Sequence, residues 1–319
     1  MNFRNLLPTA AAALALFSAG CAYSQDETYI AAAAEEAAVQ EVAEVVQVEP
    51  AANAPAMWQI ADEDTTIYLF GTVHLLPDDV EWYTGDVKAA LDGSDTLVTE
   101  LNLTPETEAE VAQFIGQNGM LPQGQTLRGL MSDEQKAAFE GGLAKINVPP
   151  ETFDQMEPWF ASIVMAQILA QASGFTPEKG VETVLETKIG EDTKRAALET
   201  VESQLGGLDS MPIDAQLDFL LEGIEDPIEG IEMLNTLVEL WSDGKVVELA
   251  DLLDDAFETN PLLAERLLYN RNSAWAGWIE DRLDTPGTVF IAAGALHFAG
   301  EKSVQDYLAQ RGIETERLQ

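Results

Sequence analysis

Two apolar runs, "TIYLFGTVH" at residues 66–74 and "TVFIAAGALH" at residues 288–297, close on the same phrase of glycine, two residues and histidine. Their β-branched and aromatic content predicts strands. Between them lie roughly two hundred residues whose apolar positions recur at helical spacing. Strands distant in sequence often meet in one sheet, where each satisfies its neighbour's backbone N–H and C=O groups, and the two runs are expected to do so. The chain is therefore expected to fold as an α/β (mixed α+β) domain. Its central mixed sheet is drawn from strands at both ends and flanked by helices from a large helical insert.

Other elements fit that frame. "MWQI" and "TIYLFGTVH" flank the polar break "ADEDT", which predicts a hairpin of residues 57–61 and 66–73. "DVKAALDGS" reads as a short helix with a glycine stop, and residues 95–101, "DTLVTEL", as a third strand ending at Glu100. Helical spacing marks segments near 106–117, 132–145, 158–173, 178–190, 213–224, 228–242, 245–257 and 261–283. Ser132, three residues before Gln135, reads as a helix start. "KRAALET", residues 194–200, is expected to form one more short strand, with a polar helix after it. After the second histidine, a helix from Glu301 to Gln310 and a closing strand at "IETERL" complete the pattern.

The first 56 residues do not belong to that pattern. Arg4 precedes an apolar run, Leu6 to Gly20, which is too short to span a bilayer and reads as a secretory signal. Cys21 follows "SAG" as the lipid-acceptor cysteine of a bacterial lipoprotein would, although Ser18 stands where such signals usually carry Leu. Ordinary signal-peptide cleavage, with Cys21 removed, is the other outcome. Residues 22–56 hold several Glu and no Lys or Arg, and read as an acidic Ala/Glu-rich tether of the disordered type. The expected organisation is thus signal peptide 1–21, tether 22–56 and domain 57–319. The protein is then exported and held at the cell envelope, periplasm-facing, through a lipid anchor at Cys21. Cys21 is the only cysteine, so the fold has no intrachain disulfide to rely on.

With 56 acidic and 16 basic residues the formal charge is −40. Nucleic acid is excluded as a partner, because phosphate backbones are held by clustered Lys and Arg. H-E-x-x-H, G-x-S-x-G and phosphate-loop signatures are all absent from the sequence. A conventional zincin, an elbow-type serine hydrolase and a nucleotide-binding loop therefore drop out.

What stays is the histidine pair. His74 and His297 are the only histidines in 319 residues, and both sit at expected strand exits behind a glycine. Glycine lets the backbone turn and approach a ligand closely. Two imidazoles and the carboxylate of Glu100, from a third strand exit, would make a three-ligand site for a divalent metal with a position left for water. A histidine at such a place can equally be a hydrogen-bonded structural residue, and Glu100 is one carboxylate among many.

"LFGTVHLLP", "LVTEL", "GVETVL", "LETVESQL", "RNSAWAGWI" and "IAAGALHFAGEKSVQDYLAQRGIETERL" occur in that order across residues 57–319. Together they resemble the TraB/GumN family, which includes the Tiki and PrgY proteins and falls in a superfamily with erythromycin esterase and the haem-binding ChaN lipoprotein. The resemblance implies a mixed sheet flanked by helices. Through the Tiki members it also implies divalent-metal-dependent cleavage of peptide bonds, the ion being left open among such candidates as Zn, Mn and Co. It implies His74 and His297 as ligands, Glu100 as ligand or general base, and catalytic roles for Glu199 of "LET" and Arg271 of "RN". Arg271 would neutralise negative charge on a substrate carbonyl, or simply pair with a carboxylate of its own helix. Where the family more often has Asp after "GV", this chain has Glu182, one methylene longer. Trp275 and Trp278 are open to core or substrate roles. Two further functions remain compatible: a tethered module that sequesters a peptide without cleaving it, and a haem or metal carrier using one of the histidines as axial ligand.

Overall fold

The computed structural model describes residues 54–319 apart from residues 79, 103 and 258–260. The signal segment, Cys21 and the tether up to residue 53 lie outside the described residues. Among the described residues no helix is long and apolar enough to cross a membrane.

The sheet is mixed, with six strands among the described residues: β1 Met57–Ala61, β2 Thr65–Thr72, β3 Thr96–Thr99, β4 Lys194–Ala197, β5 Gly287–Gly294 and β6 Glu316–Arg317. Their spatial order is β4-β3-β5-β2-β1-β6. β5, more than two hundred residues after β2, inserts between β2 and β3 and runs parallel to both. β4 is parallel to β3, whereas β1 and β6 return antiparallel at the other edge. Four neighbouring strands, β4, β3, β5 and β2, therefore point the same way, and their carboxyl ends share one rim of the sheet. That rim is where open α/β sheets bind ligands.

The central strands are buried on both faces, which is why they read as unbroken apolar runs rather than alternating ones. Phe70, Leu97, Phe290 and Ala292 face the larger core, built with the helical insert. Leu69, Val98, Ile291 and Ala293 face a smaller one, closed by Trp275 and Ile279 of one helix and Val304 and Leu308 of another. The helices are α1 Gly85–Asp92, α2 Pro105–Asn118, α3 Asp133–Lys145, α4 Pro158–Ala172, α5 Val181–Lys188, α6 Val201–Asp209, α7 Ile213–Glu225, α8 Pro227–Ser242, α9 Val246–Phe257, α10 Asn270–Leu283 and α11 Val304–Gln310. Single-turn helices at Leu127–Leu130 and Pro261–Ala264 lie between them. Along α4 nearly every residue is buried, so this helix is the axis of the insert, with α7 and α8 packed on it. Ser132 and Gln135 form the reciprocal cap expected at the start of α3.

Differences from the expected pattern concentrate near the histidines. The strand expected to reach residue 297 stops at Gly294, and His297 is carried by a 3-10 turn, Ala295–Phe298. Gly294, still extended at φ −47°, ψ 130°, is the point where the ladder ends and the turn begins. The single helix expected over 261–283 is interrupted by a π turn, Glu265–Tyr269, directly ahead of Arg271. Such turns insert a residue into the helical register and re-aim the side chains beyond them. The third and fourth strands are shorter than expected, ending at Thr99 and Ala197, so Glu100 and Glu199 stand just beyond them.

Candidate functional site

The register of the sheet explains the repeated phrase. Thr72 of β2 is paired with Gly294 of β5, so the two histidines leave adjacent parallel strands at the same level. Thr99 of β3 is paired with Ala292, which puts Glu100 beside the end of β5. The backbone N–H of Glu199 donates to the carbonyl of Glu100, continuing the β3–β4 pairing by a step. Neighbouring strands lie about 5 Å apart. Glu199, Glu100, His297 and His74 thus come from four successive strand exits along one rim. At Gly71 the backbone passes close to the histidine turn, and a Cβ there would come 3.0 Å from the Cα of Ala295, so a larger residue would press on that turn.

At the centre is Arg271 of α10. Its Nε donates to Glu199 Oε1 at 2.7 Å, its Nη2 to Glu100 Oε2 at 2.5 Å and its Nη1 to the Leu267 carbonyl at 3.0 Å, within the π turn. Nη1 also lies 3.2 Å from His297 Nε2. Glu100 is held further by the Gly294 N–H at 2.8 Å and by Gln204 Nε2 at 2.9 Å. Glu199 Oε1 takes a second bond from Trp275 Nε1 at 2.7 Å, and the Trp275 ring lies 4.2 Å from that of His297, centroid to centroid. On the opposite flank His74 Nδ1 makes an ion-pair contact of 2.7 Å with Glu182 Oε1, to which the Thr72 hydroxyl also donates. All of these charged groups are nearly withdrawn from water, Glu100 being 1% exposed, His297 0% and Arg271 9%.

Their electrostatics follow from this enclosure. Burial works against protonation of His74, but the charge and close contact of Glu182, with the charge of Glu100, raise the imidazole above its ordinary value. Glu182 is lowered: burial opposes ionisation, and His74 and Thr72 outweigh it. His297 is pushed well below the ordinary histidine value, by burial first and then by the positive charges of Arg271 and His74. Glu199 is raised by burial and by the Glu100 charge, despite Arg271 and Trp275. The two histidines of one motif therefore sit in opposite charge environments, one beside a carboxylate and the other beside a guanidinium.

Among the described residues both ring nitrogens of His74 and Glu199 Oε2 are buried here without a hydrogen-bond partner, Nδ1 having only its ion-pair contact with Glu182. Glu100, in contrast, has both oxygens in hydrogen bonds. Among the described residues no three His, Cys, Asp or Glu side chains stand together as a ready-made metal cluster, and a guanidinium contacts Glu100, Glu199 and His297. The structure places His74, Glu100, Glu199, Arg271 and His297 along this one rim. It also gives Glu182 and Trp275 definite partners within the site, while Trp278 is half-buried against the smaller core. Three residues carry no sign in the sequence that they belong to it: Thr72, Gln204 and Asn272. Asn272 follows Arg271 directly and its Oδ1 lies 2.5 Å from His297 Nδ1.

The family model described as TraB/PrgY/gumN family matches residues 56–317. The chain belongs to the TraB/PrgY/gumN family. The match runs from the first strand to the last, so both G-x-x-H phrases and all the side chains above fall within the family domain. Among curated proteins the TraB-family chain is similar to an uncharacterized protein of Treponema pallidum (strain Nichols), 22% identical over 269 residues that cover 80% of each chain. No solved structure matches it significantly.

Proposed function

We propose that this protein is a divalent-metal-dependent hydrolase acting on peptide bonds at the cell envelope. The observation that supports the reading best is the pair of unpartnered buried atoms, His74 Nε2 and Glu199 Oε2, at a rim that also holds His297 and Arg271. A buried polar atom without a partner costs stability, and sites that retain such atoms commonly reserve them for a ligand. The donor chemistry fits a divalent ion in part. Each imidazole has Nδ1 in contact with an oxygen, of Glu182 or Asn272, as metal-bound histidines usually show; His74 Nε2 is left to coordinate, whereas His297 Nε2 would have to exchange its contact with Arg271 for the ion. Glu100, as the carboxylate donor, would have to exchange one of its hydrogen bonds for the ion, while Glu199 Oε2 stays free of hydrogen bonds. Imidazole and carboxylate donors suit Zn, Mn or Co.

When bound, the ion would supply a polarised water and a Lewis acid for the scissile carbonyl. The chain's own groups supply the rest. Glu199, whose carboxyl is raised by burial, accepts the proton of the attacking water at Oε2. Arg271 offsets the negative charge that develops on the carbonyl oxygen. Glu182 and Thr72 hold His74 in place, and the closed surroundings keep bulk water out. The same proposal takes the domain to be exported and tethered through Cys21, with a peptide or protein as substrate.

One observation favours a second reading, hydrolysis without metal. His74 paired with Glu182 has the form of a general base held by a carboxylate, and Arg271 already contacts His297 Nε2. Incubating the purified domain with a peptide library, with and without chelator, separates the two. Cleavage abolished by chelator and restored by added metal supports the first, whereas chelator-resistant cleavage supports the second. Under the first reading Glu199→Gln lowers kcat by roughly 10² to 10⁴. Binding of peptides with no cleavage under any metal would replace both by the sequestering module.

A further inference from the structure

We infer that Asn272 is a positioning residue that fixes the tautomer of His297, and that it does so through the left-handed backbone of Lys302. Asn272 Nδ2 donates to the Lys302 carbonyl at 2.9 Å. That contact accepts only a donor, so the amide oxygen faces the other way, onto His297 Nδ1 at 2.5 Å. A side-chain oxygen accepts a hydrogen bond, so the proton of a neutral His297 resides on Nδ1. The far side of the ring agrees independently: Nε2 is 3.2 Å from an Arg271 N–H, and guanidinium groups only donate. Hydrogen bonds therefore run in one direction, from Arg271 into Nε2, from Nδ1 into Asn272, and from Asn272 into the Lys302 carbonyl.

The Lys302 carbonyl reaches this position because the chain reverses sharply after the histidine turn. Gly300 has φ +71° and Lys302 has φ +58°, one of two non-glycine residues with positive φ among those described. Lysine adopts this conformation at a cost. Here Lys302 Nζ lies 4.2 Å from the centroid of the Tyr269 ring, and Ser303 caps α11 immediately after it. Asn272 and the "GEKS" turn thus decide which ring nitrogen of His297 carries the lone pair.

The inference rests on the reading that His297 Nε2 faces the reacting centre, but its test needs neither metal nor substrate. The chain has two histidines, so protein labelled with ¹⁵N-histidine and carrying no histidine tag yields four ring-nitrogen resonances, measured by long-range ¹H–¹⁵N correlation after chelator treatment. For His297 we expect a protonated Nδ1 and an unprotonated Nε2. Asn272→Asp retains an acceptor at Nδ1 and keeps that pattern. Asn272→Leu, of similar size but without an acceptor, loses the single Nδ1–H form, and Lys302→Pro, which forbids positive φ, weakens it. Wild-type His297 protonated at Nε2, or an Asn272→Leu protein with an unchanged Nδ1–H signal, overturns the inference. If Asn272→Leu does not fold, the wild-type and Asn272→Asp spectra decide it. Hydrolysis assays on the same proteins test the proposed function separately.

Discussion

Replacing Arg271 by Met removes the one positive charge that Glu100 and Glu199 contact directly while leaving the volume of the stem largely filled. Glu100 keeps the Gly294 N–H and Gln204, so its charge remains partly compensated. Glu199 keeps only Trp275. Breaking a buried pair on one side costs about 3–5 kcal/mol, because the surviving charge is left desolvated. Against a total stability of about 5–15 kcal/mol this is a large share. The loss should be greater at pH 8 than at pH 5, since Glu199 relieves the strain by taking up a proton. Removing that charge as well, in Arg271→Met/Glu199→Gln, should recover a substantial part of it. Urea unfolding followed by the fluorescence of the six tryptophans measures all three proteins. A loss below about 1 kcal/mol, or one that Glu199→Gln does not reduce, would refute the view that the guanidinium neutralises these carboxylates.

Two further outcomes are expected at the rim. At Gly180, which lies two residues before Glu182, a Cβ would stand 2.0 Å from the carbonyl oxygen of His74; Gly180→Ala should cost roughly 1–3 kcal/mol or more and displace His74, visible as a shifted imidazole resonance. The stability difference between wild type and Glu182→Gln, in chelator, should peak between the unfolded values of Glu, 4.5, and His, 6.5. Glu182 is lowered in the fold, so its contribution is present above 4.5 and lost as the pH falls through the folded value. His74 is raised, so its contribution is complete below 6.5 and lost as the pH rises through the folded value. A difference that is flat from about pH 3 to 9 would show that the pair is not coupled.

Much of this site can be read from the sequence because strand exits leave a local trace. An apolar run followed by glycine and histidine marks a strand exit to within a few residues, and two such runs in one chain suggest that the exits share a rim. Glu100 is legible for the same reason. Glu199 is not, since β4 is a short edge strand of half-exposed residues, "KRAA", whose apolar pattern is weak; only the family resemblance points to it. Asn272, Gln204 and Thr72 reach the site from helix faces or a strand end, where hydrogen bonding depends on tertiary distance and leaves no local period. The π turn is illegible on similar grounds. Glu265–Tyr269 has the composition of an ordinary helix, and nothing local marks the turn whose Leu267 carbonyl accepts from Arg271.

If the two G-x-x-H histidines serve one centre that binds one divalent ion, equilibrium titration of the chelated domain with zinc, manganese or cobalt tests it directly. One ion per chain should bind the wild type tightly, and His74→Ala and His297→Ala should each abolish that binding, with the double variant little worse than either single one, because ligands acting as a unit are non-additive. A wild type that binds no ion, or single variants that retain wild-type affinity, would contradict a shared centre.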